Sequence, residues 1–466
     1  MNMTRSADIA VIGAGIVGLA CALELAQAGT SVAVVAPRTG DHAGQASRAA
    51  GAMLTVFSEV EAAHPQQRVE VEVAERVAAR AGYDAWLEQV ADLAGRPAPA
   101  LTPGVWVTAS VPADRGELAA IAAAAANAGL AGQLHSPGDV PGLHSKSVFE
   151  ALWLPGEAGV DAGELVAAAA AAAMAHPRIA WFDADASRIT DNGTDLRIEV
   201  TDGEPVTAEH LVLAAGVQTS AIVRRSPGLA LDLPPVLAGR GVSMMLQAVP
   251  ERVESPIRTP NRGFACGAHL VARSDGRTYL GATNRLSTRP EPGRRASVDE
   301  IATLLHDGVH ELNAGLRDAQ VTDVRVGYRP YTVDHLPLVG RTANHKVLVA
   351  TATYRCGILL APRVATLIRS ELEHPGTLDD HSYSPRRAMP VPDLAQLVHG
   401  RGDALAELLC QPGGHLPGGA VDQLGSVLCA ALVHQHADPA VRRLTRSAPV
   451  EEVLPLLLDV AGRSTR

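Results

Sequence analysis

Lysine is nearly missing from this chain of 466 residues, which carries it only at Lys146 and Lys346, and aromatic residues make up just 3%. Alanine and arginine are plentiful instead, a coding bias that says little about function. Cysteine is sparse too. Cys21, Cys266, Cys356, Cys410 and Cys429 are scattered, odd in number and form no C-x-x-C, so neither a zinc framework nor a disulfide scaffold is supported. No block of like charge accompanies the formal net charge of −10, which argues against nucleic acid or an anionic membrane surface as partner. No uninterrupted apolar run reaches transmembrane length, and the Ala-rich stretch from Leu165 to Met174 is too short and too weakly apolar. Glu24 and Gln27 interrupt the N-terminal apolar segment, and no small-residue cleavage site follows, so it does not read as a signal peptide. His434 and His436 lie two apart and would face different directions on a helix, and no metal site is expected. A soluble cytoplasmic protein is the default, and the length implies two or three domains.

What is present starts near the first residue. Ile9 to Gly18 reads IAVIGAGIVG, an apolar strand pattern followed by Gly13, Gly15 and Gly18 in G-x-G-x-x-G spacing and then a helical stretch. In such a unit Gly13 allows the tight turn, Gly15 lets the backbone approach a pyrophosphate, and Gly18 lets the helix pack closely on the strand. The helix N-terminus presents unpaired N–H groups to phosphate charge. This is a dinucleotide-binding fingerprint.

Residues 7–36 read strand, Gly-rich turn, helix, strand, and a helix is expected near Gln67 to Leu93. Asp161 is a plausible N-cap for the helix VDAGELVAAAAAAAMAH. Short strands follow in IAWFDADASRIT, LRIEVTD and HLVLAAG, the last a buried strand of the nucleotide domain. Residues 234–325 alternate polar and apolar residues as an antiparallel sheet does, with a helix near Ser297 to Leu316. Strands of the nucleotide domain thus recur near 10, 34, 213 and 349, so a second domain is inserted between them. Residues 380–396 read as a linker, and the rest as helices whose stripes, such as Leu424, Val427, Leu428 and Ala431, would pack on the body, form a homodimer contact, or build a separate module or lid.

Four motifs resemble the D-amino acid oxidase superfamily of FAD enzymes, most closely its glycine oxidase branch: the fingerprint, ASRAAGAML (Ala46 to Leu54), GYRPYTVDHLPLVG (Gly327 to Gly340) and ATATYRCGILLAP (Ala350 to Pro362). The resemblance covers about residues 7–375. It implies an α/β fold (α+β overall), with a Rossmann-like FAD-binding domain at 1–95, 156–225 and 326–378, an antiparallel-sheet substrate domain inserted at 96–155 and 226–325, and a linker with a helical extension at 379–466. It also implies FAD contacts from Gly13, Ala14, Gly15, Ile16, Val17 and Gly18; from Ala36, Pro37 and Arg38; from Ser47, Arg48, Ala49, Ala50, Gly51, Ala52 and Met53; from Ala186, Ala214, Ala215 and Gly216; and from Arg329 and the flavin loop Tyr354, Arg355, Cys356, Gly357, Ile358 and Leu359. Gly357 would open a helix whose free N–H groups stabilise negative charge gained by the flavin.

Through the same resemblance Arg329, His269, Asn284, Tyr354 and Arg355 form the catalytic site. Arg329 matches the arginine that binds the substrate carboxylate, a task suited to a planar guanidinium that gives two parallel hydrogen bonds. Arg355 either braces the loop against an acid or helps bind substrate. The chain also departs from the family pattern. Ala36 replaces the acid that holds the adenosine ribose, leaving a substitute contact or, through Arg38, an NADP preference as alternatives. His269 and Asn284 stand where the branch has tyrosine and methionine, making the pocket more polar. Ala352 and Thr353 precede Tyr354, and Cys356 follows Arg355, which raises covalent flavin attachment as a possibility.

The resemblance then implies oxidation of the C–N bond of a small amino acid or N-substituted glycine. Hydride passes from Cα to FAD, the imine hydrolyses, and O2 reoxidises the flavin to H2O2 in a specialised biosynthetic pathway. The polar pocket favours a larger, more polar substrate than glycine. The alternatives are a flavin dehydrogenase acting on an amino or 2-hydroxy acid with another acceptor, and a flavin-binding protein without catalysis.

Overall fold

The computed structural model describes residues 6–388 apart from 39–43, 202, 252, 262–265, 288–289, 292, 294 and 333. The helical extension expected beyond them, including Leu424, Val427, Leu428 and Ala431, lies outside the described residues. Two sheets organise the chain. In the first, the strand Leu338–Arg341 is followed in space by Val347–Thr351, Val206–Leu213, Ser6–Ile12, Val32–Val35 and Ile179–Phe182. The last five run parallel. Their central residues are apolar because both faces are covered, one by the helices Ile16–Gln27 and Gly357–Glu373 and the other by the strands Ala186–Asp191 and Leu196–Val200 with the short helix Thr219–Arg225, and Ile9 to Ile12 are at most 4% exposed. Chain order and spatial order disagree as the recurrence of strands near 10, 34, 213 and 349 requires.

The segments between these strands build the second sheet, antiparallel apart from two short parallel pairings, one at an edge and one inside it. Its longest pair, Leu237–Gln247 with Gln320–Tyr331, sets Arg329 opposite Gly239. Asp161 caps the helix Ala162–Ala175 by accepting from the Gly163 and Glu164 amides at 2.8 and 3.1 Å. This helix packs on the fingerprint helix Ile16–Gln27, which also packs on Gly357–Glu373.

Three expectations are corrected. The helix near Gln67 to Leu93 is two helices, Gln66–Ala81 and Tyr83–Ala94, broken at Gly82, a residue with poor helix propensity. The helix expected to reach Leu316 ends at Asp307, after which the backbone changes to a π-turn over Gly308–Leu312 and a 3-10 turn over Ala314–Asp318. The described part of the expected linker is packed rather than loose. Tyr383 is buried and its carbonyl accepts from Val339 N at 2.8 Å, while Arg387 makes a bidentate pair with Asp334, both bonds 2.8 Å. No helix among the described residues is long and apolar enough to cross a membrane.

Candidate active site

A groove of about 850 Å³ runs across the ends of the first sheet toward the second. Gly13, Ala14, Gly15, Ile16 and Val17 line its middle, Ala214, Ala215 and Gly216 lie beside them, and Ala36, Pro37 and Ala186 line one end. Gly13 has φ +110°, and a Cβ there would sit 2.5 Å from the Ala214 carbonyl oxygen. The fingerprint helix has no side-chain cap of its own, and Ser47 Oγ reaches across to accept from Ile16 N at 3.1 Å. A glycine cradle, an open helix terminus and an extended groove fit a dinucleotide such as FAD. Gly18 supports the cradle without lining it, because a Cβ there would overlap the Gly13 carbonyl.

The other end of the groove is built by Ser47, Ala49, Ala50, Arg329, Tyr354, Arg355, Gly357 and Ile358. Ala352 and Tyr354 hold positive φ values of 59° and 48°, a costly backbone shape for non-glycine residues and one that clusters at functional sites. The following helix, Gly357–Glu373, lacks a side-chain cap, so its first N–H groups are open toward the groove.

Arg329 sits where two glycines leave room. A Cβ on Gly241 would overlap its guanidinium, and one on Gly239 would lie 2.5 Å from Asn284 Oδ1. Arg329 Nη1 donates to the Thr283 carbonyl at 3.0 Å and to Asn284 Oδ1 at 3.1 Å. Asn284 is buried, and its Nδ2 donates to the Tyr354 hydroxyl at 2.8 Å. The chain Arg329–Asn284–Tyr354 fixes the guanidinium plane with Nη1 held by protein, leaving the Nε and Nη2 edge for a planar anion. Asn284 itself stands behind the groove wall.

Arg355 proves to be braced. Its Nη1 donates to Glu61 Oε1 at 2.9 Å and Glu59 Oε2 at 3.5 Å, and its guanidinium lies 4.7 Å from the Tyr354 ring centroid. Glu59 in turn accepts from Arg258 Nη1 at 2.5 Å and Asn261 Nδ2 at 2.9 Å. Burial alone would raise the Glu59 carboxyl, but the Arg258 and Arg355 guanidinia hold it at about 2. This buried network ties the flavin loop to the second sheet.

His269 departs from expectation. Its Nδ1 lies 2.9 Å from the Gly267 carbonyl, an atom that only accepts, so Nδ1 carries the proton. Burial lowers the ring to about 3, so it stays neutral and Nε2 offers a lone pair. A carboxylate cannot be held by that atom. The ring stacks on Tyr279 with centroids 5.5 Å apart, and Nε2 presses on Gly51 rather than lining the groove.

Several expected cofactor contacts turn their side-chain or carbonyl face away from the groove. Gly51 is occupied with His269, Met53 pairs with Gly159, and Ala52 accepts from Val160 N at 2.9 Å. The Arg48 carbonyl accepts from Arg325, and Leu359 is core. Arg38 is drawn to Asp183, whose carboxylate accepts from its backbone N at 2.7 Å and faces its half-exposed Nε at 3.5 Å. Cys356 lines a separate small cavity with Arg76 and Tyr383, and burial raises its thiol to about 11. It is therefore turned from the groove and poor in thiolate. Sequence reasoning missed Asp185 and Ser187 at the adenosine end, and the buried Glu59, Arg258 and Arg273. The one signal for Glu59 was a lone acid in the apolar run TVFSEV.

The family described as FAD dependent oxidoreductase matches residues 8–370. The chain belongs to this FAD-dependent oxidoreductase family. FAD is therefore its cofactor, and a preference for NADP through Arg38 is set aside. A glycine oxidase of Geobacillus kaustophilus is 32% identical over 181 residues, 39% of this chain and 45% of that protein. A bifunctional protein ThiO/ThiG of Trichormus variabilis is 33% identical over 164 residues, 35% of this chain and 23% of that protein. The aligned stretches thus span less than half of these curated relatives. The crystal structure of the Geobacillus kaustophilus glycine oxidase superimposes with a TM-score of 0.71 at 26% identity, covering 83% of this chain and 100% of that one. An iminodiacetate oxidase from Chelativorans sp. BNC1, at 21% identity and TM-score 0.66, shares the fold.

Proposed function

We propose that this protein oxidises the C–N bond of a small amino acid or an N-substituted glycine. The observation that carries the reading is the Arg329 guanidinium, set at the flavin end of the groove with one nitrogen fixed by Thr283 and Asn284. A substrate carboxylate docked on the remaining edge is orientated by two charge-assisted hydrogen bonds, which fixes the adjacent Cα–H. FAD, when bound, accepts the hydride. The Gly357 helix terminus at that end of the groove would stabilise negative charge developing there, and the Glu59–Arg355 brace keeps the Tyr354 loop in place. No ionised side chain has to take a proton from carbon, because the lone pair of a neutral amine drives hydride departure.

The reading includes O2 as the electron acceptor, H2O2 as product and a role in a specialised biosynthetic pathway, for which the glycine oxidase and bifunctional relatives are the support. The Tyr354 hydroxyl, held by Asn284 Nδ2 behind the groove wall, favours N-substituted glycines with a further polar group over glycine. The test is a peroxide assay in air on glycine, N-methylglycine, longer N-substituted glycines and the matching 2-hydroxy acids. Peroxide from the amino compounds supports the reading. Flavin reduction without peroxide makes the protein a dehydrogenase, and no reduction by any amine overturns it.

A further inference from the structure

Arg273 follows the strand His269–Ala272 and is 6% exposed, although neither the groove nor the Arg329 cluster uses it. Its nearest carboxylate is Asp161, 4.0 Å away. Its donors go to main-chain carbonyls instead. Nη2 donates to Ala50 O at 2.9 Å, and Nη1 to Gly51 O at 3.2 Å and Val160 O at 3.1 Å. Burying a cation on neutral carbonyls is expensive for stability alone, and apolar side chains would fill the site at less cost.

Neighbouring residues do the same to adjacent peptides. The Tyr279 hydroxyl and Ser243 Oγ donate to Ala49 O at 3.0 and 3.2 Å, and Arg325 Nη1 donates to Arg48 O at 3.4 Å. Four consecutive carbonyls, 48 to 51, are therefore drawn toward the second sheet. In a trans peptide N–H and C=O point in opposite directions. The Gly51 and Ala52 amides thus point away from Arg273, on the side where Ala50 lines the groove, and among the described residues neither donates to a protein acceptor. Ala52 has φ +58°, and successive N–H groups around such a left-handed residue form a concavity for negative charge.

We propose that Arg273 is a positioning residue that tunes the cofactor: by holding the Ala50 and Gly51 carbonyls it aims the Gly51 and Ala52 amides at the flavin ring and polarises them as the ring gains electrons. The hydrogen-bond chain guanidinium–peptide–flavin strengthens along its length. This rests on the FAD reading of the groove but not on the substrate.

The test uses the full-length, FAD-loaded protein and sulfite, a probe that adds to the oxidised ring and leaves it anionic, so its affinity reports charge stabilisation without any substrate. R273Q is expected to raise the sulfite Kd roughly tenfold or more, the effect of losing charge-assisted hydrogen bonds, and to lower the flavin midpoint potential. R273K keeps the charge without the fork and falls between. R277Q, on the exposed hairpin nearby, leaves both unchanged. R273Q or, where that variant loses flavin, R273K with a sulfite Kd within twofold of the parent overturns the proposal. Sulfite responses as expected with no amine turnover would sustain it while sinking the substrate reading. A parent protein that binds no FAD would sink both.

Discussion

Replacing Arg329 is the perturbation whose size follows most directly from the structure. Nη1 is already engaged by Thr283 O and Asn284 Oδ1, so a carboxylate receives two hydrogen bonds from the Nε–Nη2 edge. Charge-assisted bonds contribute about 1.5–3 kcal/mol each, so the pair is worth about 3–6 kcal/mol. At about 1.4 kcal/mol per tenfold, R329M should lose about 10²–10⁴ in kcat/KM for amino acids. R329K, with a point charge and no fork, should recover about half of that free energy. The assay is anaerobic flavin reduction by an amino acid and by the corresponding amine without a carboxylate. The loss must be confined to the carboxylate-bearing substrate. Equal losses on both compounds, or a loss below about tenfold on the amino acid, would refute Arg329 as the anchor.

Four other outcomes are expected. E59Q leaves Arg258 and Arg355 facing a neutral group and should lower unfolding free energy by about 3–5 kcal/mol in a denaturant titration. Because the folded Glu59 carboxyl lies near 2, below its ordinary 4.5, its contribution is full above 4.5 and is lost as pH falls through 2, so the gap between parent and E59Q should shrink over that window. Glu117 has the opposite sign. Burial raises it to about 7, so the parent loses stability as pH rises from 4.5 through 7, and E117Q should flatten that part of the Tm profile. C356S should leave acid-released FAD unchanged, since the thiol faces away from the groove; colour retained in the precipitate of the parent alone would contradict this. A36E restores a ribose acceptor, and by about one hydrogen bond should tighten FAD binding roughly three- to tenfold in a fluorescence titration.

The parallel sheet was legible because its strands read as short apolar runs and its phosphate turn needs glycines at fixed spacing. Arg329 was legible for a similar reason, within a motif dense in proline and glycine. The Glu59–Arg258–Arg355 network was not, because its members lie 199 and 296 residues apart and become partners only through folding. His269 misled because residue type suggested a polar group in the pocket, whereas the Gly267 carbonyl sets its tautomer and burial its charge. Helix ends at Gly82 and Asp307 were misjudged because periodicity continues across a backbone change. Arg273 gave no signal at all, since carbonyl partners leave no pattern in a sequence.

The most direct test of the central claim is the visible spectrum of the purified protein, followed anaerobically as an amino acid or N-substituted glycine is added. The account predicts dissociable FAD whose oxidised bands bleach on addition and return when air is admitted, with peroxide formed in equal amount. A protein that holds FAD but is bleached by no amine, or one that neither carries nor takes up FAD, would contradict it.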